Sequence, residues 1–377
     1  MKIIFLLSGV ILFHTYAGYL ISLYIRAIFN KKKRKSDESY LPTVTLIIPA
    51  HNESDCIEKK LKNALELDYP ADKLEIIVAS DCSNDDTVKI AQSIDPRIKV
   101  IDYRERGGKM RVVNRTVKVA TGEILVLTDA NASFASYTIK QLVKHFNDPD
   151  VGCVGGAKII RNPPSAINST GLGEGKYWQY ETSLKTAESK SGSCVGVDGS
   201  VYAVRRSLYP FPPDDIIIMD DLAVSLMIVE KGYECIFEPN ARAFEESAQS
   251  VGDEFFRKSR IFAGAFSLFV AMPKLIFTSI FVRLVSHKFL RWLTFIFQMA
   301  LFSASYALSN EPLIRPIFGV QVVFYSCALF GFLLNKSNIR IPVFHIPYYF
   351  TMTTVAQIWG LVHYLRYARQ ATWERRR

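Results

Sequence analysis

The chain has 377 residues, 49% of them hydrophobic, with a mean hydropathy of +0.12 and a formal net charge of +10. That length holds one large domain or two ordinary ones, and that hydropathy argues against a purely soluble protein. Much of the positive charge lies in flanks and tails, so it needs no nucleic acid as a partner. The six cysteines and six histidines show neither C-x-x-C pairs nor clusters, which points to reduced thiols and against a zinc site.

The first predicted element is an uncharged run from Ile3 to Ile25. At helical rise it crosses a hydrocarbon core of roughly 30 Å. It is too long for a cleaved signal peptide, and no small-residue cleavage site follows it. The basic run "KKKRK", Lys31 to Lys35, then reads as a cytoplasmic anchor under the positive-inside rule. A membrane helix over residues 1–30 is therefore expected, with the polar middle of the chain, residues 36–250, in the cytosol.

That middle region begins with short β-branched runs alternating with helical patterns. "VTLIIPA", "KLEIIVAS", "RIKVIDY" and "EILVLTD" read as strands, and "SDCIEKKLKNALEL" and "NDDTVKIAQSI" as helices between them. Near-continuous apolar strands separated by helices predict an α/β fold with a mostly parallel sheet covered on both faces. Ligands of such sheets bind beyond the carboxyl ends of the strands. Three of these ends carry polar or acidic residues: Asn52 and Glu53, Asp81, and Asp129. Three on one rim predict a site.

Each end has a bland and a chemical reading. Asp129, followed by Asn131, can favour a turn, or can offer oxygen ligands to Mg²⁺ or Mn²⁺, which prefer them in phosphate chemistry. Asp81 could hydrogen-bond a nucleobase. Gly107, Gly108 and Lys109 in "RGGK" suit either an exposed turn or a phosphate cradle.

Past residue 151 the pattern is less regular, and we find no internal repeat. "TGLGEGKYWQYETSLKTAES" is an aromatic loop plus helix in which Trp178 and Tyr180 could stack on a sugar ring or pack in the core. In "IIMDDLAV", Asp220 and Asp221 open a helix. One could cap it, and the other could take a proton from a hydroxyl as a general base. "RKSR", Arg257 to Arg260, offers guanidinium groups to a diphosphate or to lipid headgroups. Residues 251–288 suit helices lying in a membrane interface. Three longer apolar segments follow within 289–365, about Phe289–Leu308, Leu313–Leu334 and Ile341–Leu365, and a basic tail covers 366–377.

The order of these motifs resembles that of the membrane-integrated members of glycosyltransferase family 2, in the wider group of cellulose, hyaluronan and poly-N-acetylglucosamine synthases. The resemblance runs through "VTLIIPAHNES", "VASDCSNDDT", "RGGK", "LVLTDANASF", "VDGSVYAVRR", "MDDLAVSLMIVEKGYECIFEP", "RKSRIFAG" and "SHKFLRW", nearly the whole chain. It implies a GT-A fold and an inverting transfer of a sugar from a nucleotide-diphosphate sugar. The acceptor would be a lipid-linked or glycan molecule at a bacterial-type inner membrane, with membrane lipids and other polysaccharide-assembly proteins as further partners. By the same resemblance, Pro49, Ala50 and Glu53 line the nucleotide pocket, Asp81 contacts the base, and Lys109 lies near the sugar donor. Asp129 holds the metal with Asn131 beside it, Gly199 and Ser200 border the acceptor, Asp221 is the base, and Arg260 offsets charge on the diphosphate.

Two departures stand out. Asn131 takes the place of the family's second metal aspartate. Arg257 and Ile261 stand where the processive synthases have the Gln and Trp of Q-x-x-R-W, and only Arg260 matches. The missing tryptophan favours addition of one or a few sugars over processive polymer synthesis and extrusion. A non-catalytic scaffold that binds sugar nucleotides is the alternative from another class.

Overall fold

The computed structural model describes residues 1–29, 32–161, 169–214, 219–247, 251–336 and 341–367. The basic tail beyond 367 and the expected domain edge at 250 lie outside the described residues. The chain begins with α1 (Lys2–Phe13) and α2 (Tyr19–Phe29), joined by a π-helical turn at His14–Gly18 into one 28-residue helix.

The sheet then builds around β1 (Val44–Ala50). After it come α3 (Ile57–Leu65), β2 (Leu74–Asp81), α4 (Thr87–Ile94), β3 (Ile98–Tyr103), α5 (Lys109–Val117) and β4 (Ile124–Leu127). β1 to β4 are mutually parallel, and all four lie where the apolar runs predict strands. Alternation along β1 divides the core between the two faces. Leu46 and Ile48 pack with Ile57 and Leu61 of α3 on one face, while Ile47 packs with Val113 and Val117 of α5 on the other.

The less regular half of the sequence completes the same sheet. β5 (Ser133–Phe134), α6 (Thr138–Val143), β6 (Val151–Arg161), α7 (Ser169–Ser191), β7 (Tyr202–Arg205), α8 (Asp220–Glu230) and β8 (Glu234–Glu246) follow. Among the described residues the order is β3-β2-β1-β4-β7-β6-β8-β5, with β7 antiparallel to both neighbours and β6 parallel to β8. β6 is hard to read from sequence because glycine replaces the usual β-branched residues where another backbone comes close. A Cβ on Gly156 would lie 2.4 Å from the Ala241 carbonyl oxygen, beside a register shift between β6 and β8.

The remaining helices are α9 (Val251–Ala271), the short α10 (Phe281–Leu284) and α11 (Leu290–Trp292), α12 (Thr294–Ala307), α13 (Arg315–Lys336) and α14 (Pro342–Tyr367). On α9, Phe262, Ala265 and Leu268 join the core of the sheet domain, while Phe256 and Val270 are exposed. α14 packs closely against α9, since a Cβ on Gly360 would lie 2.7 Å from Cβ of Phe262. Lys2–Phe29 and Arg315–Asn335 are long and apolar enough to cross a membrane. α12 has 14 residues, about 21 Å at helical rise, short of a hydrocarbon core.

Candidate functional site

Beyond the carboxyl ends of β1, β2 and β4 lies a cavity of about 1340 Å³. Single-ligand pockets usually span roughly 300–1,000 Å³, so this one has room for two molecules. Its walls include Pro49, Ala50, Glu53, Asp81, Lys109, Asp129, Asn131, Trp178, Tyr180, Gly199, Asp220, Asp221 and Arg260. The separate acidic strand ends thus share one space. The lip is built from strained backbone: Asn52 and Cys82, just past β1 and β2, have φ of 53° and 55°. Such left-handed non-glycine conformations cost energy and collect at functional sites.

Asp81, at the end of β2, is 6% exposed. Its two oxygens accept hydrogen bonds from the Gly107 and Gly108 amides, each at 2.8 Å. This pins the "RGGK" turn over the cavity and delivers Lys109 as the first residue of α5. Gly108 has φ 84°, a conformation that side chains disfavour.

The centre of the site is a chain of alternating charges. The Lys109 ammonium stands 2.8 Å from Asp129 and 2.9 Å from Asp220. Burial opposes its charge, but the two carboxylates more than offset this and hold it above the usual lysine range. Met219 is the N-cap of α8 and makes no side-chain cap bond, while Asp221, in the first turn, accepts from the Leu222 amide at 2.7 Å. Asp220 pairs with Lys109. Asp221 accepts from the Gly199 amide at 2.9 Å. Burial, then the nearby Asp220 and Asp198, push its carboxyl up to about 7, a value suited to a base working near neutral pH.

Gly199 faces these groups closely. A Cβ there would lie 3.2 Å from Lys109 Nζ, 3.6 Å from Asp221 and 3.7 Å from Asp129. The missing side chain keeps a space open between base and strand end. Ser200, expected beside the acceptor, is fully buried instead. Its hydroxyl donates to Asp198 and its carbonyl accepts from Thr128, so it reaches the site only through those residues.

A divalent cation fits this arrangement as a shared guest. Among the described residues no three His, Cys, Asp or Glu side chains group closely enough to hold a metal alone. Asp129 borders the space that Gly199 leaves open, and Asn131 lines the same cavity. One carboxylate and one amide, completed by phosphate oxygens of a substrate, is the kind of set that Mg²⁺ accepts.

Other participants carry little sequence signal. Lys60 of α3 lies buried beneath the Asp129 loop, its ammonium donating to Thr128 at 2.9 Å and to the Ala132 carbonyl at 2.6 Å. Burial pushes it down to about 7. Lys158 pairs with Glu245 at 2.6 Å and lies over the Trp178 ring at 5.0 Å. The Trp178 indole Nε1 is buried without a hydrogen-bond partner. The cavity then runs on past Tyr180 to Tyr16 of the first helix and to Ile346, Tyr349 and Phe350 of α14.

Residues 45–209 match the profile of the family described as Glycosyl transferase family 2. The poly-beta-1,6-N-acetyl-D-glucosamine synthase of Staphylococcus aureus (strain MSSA476) is 28% identical over 233 residues, 60% of this chain and 55% of that protein. The synthase of the same name from Staphylococcus epidermidis is 25% identical over 223 residues, 58% of this chain and 53% of that one. The chain therefore spans about half the length of these relatives. Among solved structures, the mannosyltransferase PcManGT of Pyrobaculum calidifontis, in complex with GDP-Man and Mn²⁺, superposes with a TM-score of 0.72 at 22% identity. The match covers 96% of this chain and 99% of that one. At that identity the likeness carries the fold, which is GT-A.

Proposed function

With residues 45–209 a family 2 glycosyl transferase domain on a GT-A fold, we propose that this protein moves a sugar, with inversion, from a nucleotide-diphosphate sugar to an acceptor at a membrane. UDP is the nucleotide most consistent with the resemblance of its motifs. The acceptor is a lipid-linked molecule or a glycan of surface polysaccharide or glycolipid synthesis. One observation carries the reading: Asp221, Lys109, Asp129 and Asp81 line the same cavity, with the raised carboxyl of Asp221 beside the opening at Gly199.

In the proposed mechanism Pro49, Ala50 and Glu53 flank the nucleotide, and Asp81 sits by the base. Asp221 accepts the proton of an acceptor hydroxyl, whose oxygen bonds to the anomeric carbon. The bond from that carbon to the diphosphate breaks on the opposite face, and the nucleoside diphosphate leaves with the electron pair. Lys109 and Arg260 offset its growing charge, the electrostatic part of the catalysis. Bound at Asp129 and Asn131, Mg²⁺ or Mn²⁺ would supply further neutralisation of the diphosphate. Trp178 and Tyr180 flank the acceptor.

The apolar helices Lys2–Phe29 and Arg315–Asn335, with the basic run after the first, support a membrane protein whose sheet domain faces the cytoplasm. The test is incubation of the full chain in lipid with a panel of nucleotide sugars and Mn²⁺, followed by mass analysis of lipid and glycan products. Sugar transfer supports the proposal, and nucleotide binding without any transfer would leave a sugar-nucleotide-binding scaffold in its place. Product length distinguishes addition of single sugars from processive synthesis.

A further inference from the structure

The helix end of the cavity carries more positive charge than the protein neutralises. Arg257 is paired with Glu174 and Glu254, and Lys258 stands 3.8 Å from Glu254. Lys288 and Arg291 both lean on Glu181. Arg291 is 8% exposed and lines the cavity, and it spends Nη1 on Glu181. Its Nε and Nη2 are buried with no hydrogen-bond partner.

Lys185, one turn beyond Glu181 on α7, is 3% exposed and also lines the cavity. Among the described residues no carboxylate lies within ion-pair distance of it. Lys258 sits 4.2 Å above the Tyr177 ring and Arg291 lies 5.2 Å from the centre of the Tyr180 ring; Tyr177, Glu181 and Lys185 follow at four-residue intervals on α7, so the three cations line one face of that helix. The wall beyond it is α14, through Ile346 and Phe350.

We propose that the acceptor is an anionic amphiphile, a hydroxyl-bearing molecule carried on a phosphorylated lipid, whose phosphate seats among Arg291, Lys185 and Lys258 while its hydroxyl reaches Asp221. This rests on the glycosyl-transfer reading and names its acceptor class. A phosphate matches the guanidinium fork and can use several charge-assisted hydrogen bonds at once. The apolar wall of α14 suits the chain that carries it.

The test uses the full chain in phosphatidylcholine nanodiscs and three probes: dodecyl phosphate, neutral dodecyl glucoside and inorganic phosphate. Binding is followed by tryptophan fluorescence, since Trp178 and Trp292 line the cavity. Dodecyl phosphate should bind at least tenfold more tightly than the glucoside, and inorganic phosphate alone should bind weakly. Arg291→Gln also strips Glu181 of a partner and could unfold the protein. Lys185→Met breaks no ion pair among the described residues, so it is the deciding variant, and it should erase most of the tenfold preference. Equal binding of charged and neutral amphiphiles, or an unchanged preference in Lys185→Met, overturns the proposal. Inorganic phosphate matching dodecyl phosphate overturns the lipid part, leaving a site for a free anion. Titration of the same samples with Mn²⁺ and a nucleoside diphosphate separates the two readings: loss of nucleotide binding in the wild type would sink the transferase and leave the phosphate preference measured on its own.

Discussion

Asp221 is a carboxylate placed where its charge is unwelcome. Burial and two neighbouring aspartates resist its ionisation, which keeps it basic enough to take a hydroxyl proton. A carboxyl with a raised pKa stays protonated below that value, so the basic form appears only as pH rises through about 7. Transfer should therefore climb across that range and level off above it, as initial rates over pH 5.5–9 would show. Asp221→Asn should lower the rate about 100-fold or more while leaving nucleotide affinity in place. At pH 8 the same variant no longer holds an ionised group in a poorly solvated place. Its Tm should accordingly rise by a few degrees, the usual trade between stability and activity. Gly199→Ala probes the neighbouring space: a methyl 3.2 Å from Lys109 displaces the charged groups, and kcat/KM should fall roughly 100-fold.

Among the elements, α7 shows best where sequence reading succeeds and where it stops. Its aromatic residues are visible as a cluster, but its structural logic lies in Glu174, Glu181 and Glu188. They recur every seven residues, nearly two turns, and so share one face. All three are buried, and each meets a partner from later in the chain: Arg257 for Glu174, Lys288 and Arg291 for Glu181, and the His287 ring for Glu188. The spacing was available in the sequence, but its partners lie far along the chain, and no local rule names them. Glu181→Ala would leave Lys288 and Arg291 without their shared carboxylate. It should destabilise the protein by about 3–5 kcal/mol, read as a lower melting temperature and faster proteolysis around residues 285–293. β1 to β4 were legible for the opposite reason: each is a self-contained apolar run whose burial needs no distant partner. β6 and β8 were not, because glycines and a register shift replace that signal. Asp81 and Asp129 at strand ends, and Asp221 at the start of a helix, were legible as residue types with positional meaning. Lys60 was not, since a lysine on an amphipathic helix ordinarily points to water. The burial of Ser200 was not legible, because a motif fixes its position in the chain and not the direction of its side chain.

For the whole molecule, two apolar helices and the cavity describe a sheet domain held against a small helical bundle. The full chain should stay with the membrane fraction after alkaline carbonate washing, measured by immunoblot of pellet and supernatant. On the proposed function, metal dependence would belong to the assembled site, since Asp129 and Asn131 would need phosphate oxygens to complete a coordination set. Chelation with EDTA should stop transfer, and added Mn²⁺ should restore it.

The rings of Tyr16 and Phe350 touch, their centroids 5.6 Å apart, and both help enclose the same hollow. One comes from the opening helix and the other from the final one, so a ribosome must finish nearly this entire sequence before the enclosure exists. A partly synthesised polypeptide could fold its sheet and hold a nucleotide while still lacking the wall that shelters the second substrate. If the proposed transfer holds, its acceptor wall is complete only after the helix that carries Phe350 has emerged.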